Sequence, residues 1–402
     1  MRPRKPTIKP RQVQGAKYLA HIIDLLRPLH AHRPDPKRQL HYDELCAWLL
    51  LYFFSPVLTS LRGLQQASTL DEVRRKLRLP RFSLGSFSEA GTVFDPDLLV
   101  PIMEQIAGRL NDVETDPRLC ALARRPTAVD GTMIEALPKM VWALWRDDER
   151  RAAKLHLQLD LLSGAPEKAT LTDAQASETR TLEASLAAGR LYIADRGYFD
   201  YDLMAAIMRA ESSFVTRVRD YIAYDVVSEN PISAEAARAG VELDAVVRTG
   251  WQPRLQERKI DRPLRLVRIH VTSATPGPNN VDRKTKMYRT REVDHTLTLA
   301  TDLMDVDVDV IALLYRYRWQ IELFFRWFKK VLQADRLLAL SENGLTIVVY
   351  CGLIASMLVT LWTGRKPTKR TFELLCFYFG GWVSDAELID HLNRLAEADS
   401  KK

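Results

Sequence analysis

Cysteine is scarce in this chain: Cys46, Cys120, Cys351 and Cys376 are the four in 402 residues, widely separated and in no CxxC pair. That scarcity excludes a disulfide framework. With no paired histidine spacing, it also speaks against a structural zinc site. Cys46 and Cys351 lie in apolar runs and read as core thiols, in keeping with a reducing cytoplasm. The opening MRPRKPTIKP lacks the apolar stretch of a secretory signal, so none is expected. Internal repeats and low-complexity blocks are missing too. One stretch, Gly344–Thr363, lacks charge altogether over twenty positions, the length of a membrane span. It carries Thr346, Tyr350, Ser356, Thr360 and Thr363, and no second segment repeats the pattern. The expectation is a helix buried in a soluble fold, with no membrane partner.

What is present describes a globular protein of two or three domains, with 47% hydrophobic residues and a mean hydropathy of -0.19. The net charge of +7 permits a polyanionic partner without requiring one. Its distribution says more. Residues 1–38 hold ten Lys or Arg against Asp24 and Asp35, a local excess of eight. Residues 1–40 therefore read as a basic arm, either a solvated tail or a segment that touches DNA. Residues 41–124 read as helical: an apolar run from His41 toward Pro56, a second pattern over Leu61–Leu79, and a capping-box form at Thr69–Glu72. Leu70–Leu79, Pro80–Ser83 and Leu84–Ala90 have the layout of a helix-turn-helix with a basic rim, and a plain helical bundle fits equally.

From residue 125 the period changes to that of strands. Thr127–Glu135, Lys154–Leu162 and Glu167–Asp173 predict three strands joined in antiparallel fashion. A helix over Ala176–Ala188, a buried strand Leu191–Ala194, a helix Tyr201–Ala210 and a strand Phe214–Val218 follow. Residues 219–302 read as a β-rich insertion with an exposed, basic loop over Ala274–Glu292 (Arg283, Lys284, Lys286, Arg289, Arg291). Residues 303–364 return to helix, and 365–402 form a C-terminal helical region.

The most informative stretch is Tyr315–Lys330, YRYRWQIELFFRWFKK, which predicts one helix. Tyr315, Arg318, Glu322 and Lys329 stand at offsets that place them within an arc of about 60° on that helix. Arg318 and Glu322 by themselves also fit a simple i, i+4 salt bridge. Upstream, Asp130 in AVDGT and Asp195 in YIADRGYFD each follow a strand-like run.

Tyr-x2-Arg-x3-Glu-x6-Lys resembles the signature of the insertion-sequence-four branch of DDE transposases, and the two aspartates stand in the order that branch requires. The resemblance implies an α/β fold: a ribonuclease H-like catalytic core over 125–218 and 303–364, interrupted by the β-rich insertion and preceded by the helical N-terminal domain. It implies that Asp130, Asp195 and Glu322 hold a divalent metal, Mg²⁺ with Mn²⁺ able to substitute, as two ions. Carboxylates are the hard oxygen ligands such ions take. Tyr315, Arg318 and Lys329 are expected to contact backbone phosphates, and Arg196 and Trp251 are further DNA-contact candidates. Trp251, the tryptophan of the insertion, fits a base contact or a core position. His156 and Asp160 read as structural. The implied activity is cleavage at the terminal inverted repeats of a mobile element and transfer of its 3′-hydroxyl ends into target DNA, by a homodimer on double-stranded DNA in the bacterial cytoplasm. A ribonuclease H-like nuclease without strand transfer, or a DNA-binding regulator, are the alternatives.

Overall fold

The alternation that begins at residue 125 becomes the middle of a nine-stranded sheet in the computed structural model. The structure describes residues 25–32, 40–55, 57–114, 116–136, 140, 142–143, 151–219, 222–252, 257–281, 288–333 and 338–399. Most of the basic arm and Arg283, Lys284 and Lys286 therefore lie outside the described residues.

Ahead of the sheet come a 3-10 turn, Arg27–Ala31, and helices α1 (Tyr42–Phe54), α2 (Leu61–Ala67), α3 (Asp71–Leu77), α4 (Leu84–Val93), α5 (Val100–Ala107) and α6 (Pro117–Cys120). A capping box starts α1, with the His41 backbone N–H donating to Glu44 Oε2 at 2.8 Å. The single pattern expected over Leu61–Leu79 divides into α2 and α3. The Ser68 and Thr69 hydroxyls donate back to the carbonyls of Gln65 and Gln66, which satisfies the end of α2. Thr69 is thus not the cap of α3, whose N-cap is Leu70.

The strands are β1 (Arg125–Ala136), β2 (Arg151–Asp160) and β3 (Pro166–Asp173), then helix α7 (Glu178–Glu183), β4 (Arg190–Ala194), helix α8 (Tyr201–Arg209) and β5 (Ser213–Arg217). This is the expected order of elements. β1 pairs antiparallel with β2 and parallel with β4, and β4 pairs parallel with β5. β6 (Tyr224–Glu229), helix α9 (Ala234–Arg238), β7 (Val241–Thr249), the short β8 (Trp251–Gln252) and β9 (Glu257–Arg258), β10 (Leu264–Val281) and β11 (Tyr288–Thr301) follow. β11 pairs antiparallel with β5, so the sheet runs β3-β2-β1-β4-β5-β11-β10-β7-β6. The insertion extends the same sheet rather than forming one of its own, except for the β8–β9 pair. The loop expected over Ala274–Glu292 is strand over 274–281 and 288–292, because β10 and β11 pair from Arg265↔Thr301 to Pro276↔Thr290 and, beyond a bulge, again at Val281↔Tyr288.

Alternation gives the sheet two apolar faces. Ala128, Leu191, Ile193, Val215 and Leu299 join one core; Val129, Tyr192, Ala194, Phe214 and Ala300, each one residue out of step, join the other. The second face is covered by α7 and α8 through Leu182, Leu203, Met204 and Ile207. The first receives helices α10 (Val308–Tyr317), α11 (Trp319–Lys330) and α12 (Glu342–Thr363), followed by α13 (Lys369–Phe379) and α14 (Asp385–Asp399).

The uncharged run forms α12. It is long and apolar enough to cross a membrane, but its most apolar stretch is 94% buried inside the fold. It packs against α1, α4, α5, β3 and α13. Its hydroxyls are satisfied locally: Thr346 donates to Glu342 O and Thr363 to Val359 O, while Tyr350 reaches Ala169 O on β3 at 3.0 Å. α4 and α12 touch at glycines, where a Cβ on Gly91 would meet Gly344 Cα at 3.2 Å. A Cβ on Gly344 would meet Ala339 Cβ at 2.7 Å and Gly91 O at 3.1 Å. Gly344→Ala is therefore expected to destabilise the protein by about 1–3 kcal/mol despite alanine's better helix propensity. Urea unfolding checks this; an unchanged or raised midpoint would refute the close crossing.

Candidate active site

β1 and β4 lie side by side in parallel, with Arg125 opposite Arg190 and Ala128 opposite Ile193. Their constant offset of 65 residues (193 − 128) brings Asp130 level with Asp195 (195 − 130) just beyond the last pair. The pairing ends there because β4 stops at Ala194 and Asp195 caps a 3-10 turn, its Oδ1 accepting from the Gly197 backbone N–H at 2.8 Å. The Thr216 hydroxyl on β5 donates to the Asp195 carbonyl at 3.0 Å and holds the turn against the sheet. Asp130 was expected at a strand end, but β1 continues to Ala136 because β2 still pairs with it. Asp130 thus sits where β1 loses one neighbour and keeps the other.

Asp130 shares a face with Ala128, the face on which α11 packs. Ile321, Phe324, Phe325 and Phe328 form the buried stripe of α11, at i, i+3, i+4 and i+7. The helix expected over Tyr315–Lys330 is in fact two. The chain tightens at Arg318, where its N–H bonds Tyr315 O and the Ile321 N–H bonds Arg318 O, both i to i+3. Tyr315 consequently belongs to α10, and Arg318 stands at the junction. The Arg318 Nη2 donates to Glu322 Oε1 at 2.6 Å, and its guanidinium lies 5.7 Å from the Tyr315 ring centroid. Its Nε is buried and has no hydrogen-bond partner among the described residues. Lys329, two turns on, bends to β1, where Nζ donates to Thr132 Oγ1 at 2.8 Å and Met133 O at 3.2 Å.

Burial pushes the Asp130 carboxyl up to about 6; the Gly131 N–H opposes that shift, Asp195 adds to it, and Arg318 opposes it. Burial also raises the Tyr315 phenol, while Arg318 and Arg217 pull it down and Asp195 raises it. These mutual effects tie Asp130, Asp195, Tyr315 and the Arg318–Glu322 pair into one neighbourhood. Arg196 is exposed in the turn after Asp195. Trp251, half exposed, opens the small β8–β9 sheet, outside the nine strands that carry the aspartates. His156 is 7% exposed, bonds Thr172 Oγ1 at 2.9 Å and is driven down to about 4 by burial, so it is a neutral packed residue. Asp160 is bound by Arg125 and caps the Ser163 N–H at 2.7 Å, a structural task.

The sequence profile of the transposase DDE domain matches residues 122–358, more than half of the chain. The chain belongs to the transposase DDE domain family. A protein of Sinorhizobium fredii named as transposase y4zB is 30% identical over 231 residues, 56% of this chain and 57% of that relative. The chain thus spans little more than half the length of that relative. A Geobacillus stearothermophilus protein named as the transposase for insertion sequence element IS5377 is 22% identical over 301 residues, 74% of this chain and 72% of that one. A solved piggyBac transposase synaptic complex with hairpin DNA aligns over 98% of this chain and 86% of its own, at 10% identity and a TM-score of 0.38.

Membership of the DDE family implies dependence on a divalent metal, and the donors fit one. Asp130 is a desolvated carboxylate beside a second acid, an arrangement that a cation relieves and that solvent alone does not. Two residues of this DDE domain went unforeseen. Glu178, at the start of α7, approaches from the opposite face: a Cβ on Gly131 would meet its Oε1 at 2.9 Å, and it pairs with Lys154 at 3.4 Å. Glu178, Asp130 and Asp195 together add to the burial that raises the Tyr198 phenol. Arg217, the last residue of β5, faces Tyr315. Neither has a local motif. A strand ending in arginine and a helix opening with glutamate are too common to single out.

With a folded value near 6 against an ordinary carboxylate near 4 in the unfolded chain, Asp130 is protonated in the fold where the unfolded chain is ionised. Unfolding then releases a proton, so this group's contribution to stability falls as pH rises through roughly 4 to 6. In chelator-treated protein, Asp130→Asn is expected to flatten that fall and to raise the melting temperature at pH 7. Thermal melts of both proteins from pH 4 to 7 test this; parallel profiles would refute it.

Proposed function

We propose that this protein is a DNA transposase that cleaves at the terminal inverted repeats of a mobile element and joins the freed 3′-hydroxyl ends to target DNA. The observation that carries the reading is the level placement of Asp130 on β1 and Asp195 just past the end of the adjacent parallel strand β4, with the Arg318–Glu322 pair brought to Asp130 by α11. The family match and the Tyr315–Lys329 signature of the insertion-sequence-four branch support it. In this reading residues 125–218 and 303–364 make a ribonuclease H-like core and 219–302 the insertion. Residues 41–124 form the helical domain, and the basic 1–40 arm and the 365–402 region flank them.

Asp130, Asp195 and Glu322 would hold two Mg²⁺ ions, replaceable by Mn²⁺, which when bound supply Lewis-acid activation of the attacking oxygen and charge neutralisation at the phosphorus. The chain's own residues do the rest. Arg318, half-buried and with Nε unengaged, offers a phosphate oxygen a donor while its Nη2 keeps Glu322 in place. Tyr315 adds a hydroxyl donor beside it. Lys329 is anchored on Thr132 and Met133, so it contacts a phosphate only by exchanging those bonds, and meanwhile it fixes α11 to β1. Arg217 extends the cationic side toward β5, and Arg196 and Trp251 stay candidates for outlying DNA contacts. The protein acts as a homodimer bridging paired ends, in the bacterial cytoplasm.

The test incubates the protein and Mg²⁺ with DNA carrying the ends that flank its gene. Cleavage followed by joining is expected, both falling to background in Glu322→Gln. Cutting without joining would favour a nuclease; binding without chemistry from a folded protein would refute both enzymatic readings. Arg318→Ala is expected to weaken end binding and to reduce the slope of log affinity against log salt by about 1, measured by fluorescence anisotropy. An unchanged slope would remove Arg318 from the phosphate contacts.

A further inference from the structure

The break between α10 and α11 places Arg318, yet little in its own segment fixes that break. Arg318 is at once the C-cap of α10 and the N-cap of α11, with helical backbone angles and no side-chain capping bond. The local device that ordinarily sets a helix start is not used there. Two backbone bonds make the tightened turn, Arg318 N–H to Tyr315 O at 3.2 Å and Ile321 N–H to Arg318 O at 3.1 Å. Such a turn between helical segments is a common hinge.

One ion pair from outside the segment reaches both sides of the break. Lys366, in the chain after α12, donates from Nζ to Gln320 Oε1 at 2.7 Å and to Glu114 Oε2 at 3.0 Å. Glu114, ahead of α6, accepts with its other oxygen from the Tyr317 hydroxyl at 3.3 Å. Tyr317 directly precedes Arg318 and Gln320 is the second residue after it, so a single Lys–Glu pair spans the break.

The pair is itself built into the fold. The Glu114 backbone N–H donates to Leu162 O at 2.9 Å, in the turn after β2, and its Oε1 also accepts from the Asp116 N–H at 3.2 Å. The stem of Lys366 lies on Gly164 in the same turn, where a Cβ would meet Lys366 Cγ at 2.6 Å. The Glu114 and Lys366 side chains are 11% and 28% exposed, so the pair is largely shielded from solvent. Burial pulls the Lys366 ammonium below its ordinary value and Glu114 opposes that shift; burial, then Glu114, pushes the Tyr317 phenol up to about 12. Removing one member of a shielded, hydrogen-bonded pair costs far more than losing an exposed one.

We infer, on the basis of the transposase function proposed above, that Lys366 and Glu114 are positioning residues: they lock the α10–α11 break so that Tyr315 and Arg318 are already set for a DNA phosphate. Neither touches the reacting atoms. Both act through Tyr317 and Gln320 on the backbone around Arg318, which spares the bound state the cost of ordering that turn. Glu114 precedes the matched DDE domain, residues 122–358, and Lys366 follows it. The segments that flank the domain therefore complete the placement of a side chain inside it.

The test uses the full chain and Lys366→Met, which keeps the stem on Gly164 and removes the charge. Without DNA, hydrogen–deuterium exchange is expected to speed by about tenfold at the Arg318 and Ile321 amides and to stay unchanged in β1 and β4. Lys366→Met is also expected to bind the gene's flanking DNA ends about fivefold more weakly by fluorescence anisotropy, and to cost nothing further in Arg318→Ala, because both changes act on one contact. A merely structural role gives additive losses instead. Glu114→Gln, which keeps the shape of the side chain, is expected to repeat both effects at reduced size, and circular dichroism checks that each variant folds. Faster exchange with end binding indifferent to Arg318→Ala would uphold the clamp and refute the phosphate contact of Arg318. Unchanged exchange at Arg318 and Ile321, or additive losses in the double variant, would overturn the inference.

Discussion

The parallel pairing of β1 with β4 is the constraint on which the candidate site depends. Parallel strands keep residues of equal offset level, so pairing Ala128 with Ile193 commits Asp130 and Asp195 to the same height. Alternation then decides the face, and Asp130 takes the one that α11 covers. A register slip of one residue would turn Asp130 toward α7 and away from Arg318. The apolar side chains of β1 and β4 oppose such a slip, because it would exchange the two cores.

Electrostatics at this place work against folding and in favour of binding. Two aspartates and Glu178 converge near Tyr198, and burial holds Asp130 well above the ordinary carboxylate range. Arg318 offsets part of this, and is itself shared with Glu322 and Tyr315. Strain of this kind persists because the surrounding packing over-determines it, through Ile321, Phe324, Phe325 and Phe328 of α11 on β1. Lys329 adds a polar tie between the same two elements.

The same helical side of the molecule explains why an uncharged twenty-residue run belongs in a DDE domain protein. α12 is surrounded by α1, α4, α5 and α13 and reaches β3, so it needs apolar side chains in every direction. Close crossing at Gly91 and Gly344 sets how near α4 and α12 lie. The N-terminal helices are thereby bound to the layer that leads out of α11, and their placement follows from it.

Much of this was legible in the residues themselves. Strand and helix order from β1 to β5 and the buried character of Gly344–Thr363 came from local pattern, because period is a property of a single segment; Asp130, Asp195 and Glu322 are candidates that the family resemblance named. The break at Arg318, the bending of Lys329 onto Thr132, and the division at Ser68 and Thr69 were not, since each turns on a hydrogen bond that competes with the helix. The strand character of 274–281 and 288–292 was hidden beneath a loop-like composition, overridden by a partner strand. Glu178, Arg217 and the Glu114–Lys366 pair belong wholly to tertiary structure. Sequence determined which segments from β1 to β5 are strands or helices and which of their residues alternate; only the assembled fold decided how the insertion joins the sheet and which side chains from distant segments meet, because that depends on register and packing across elements that no local window contains.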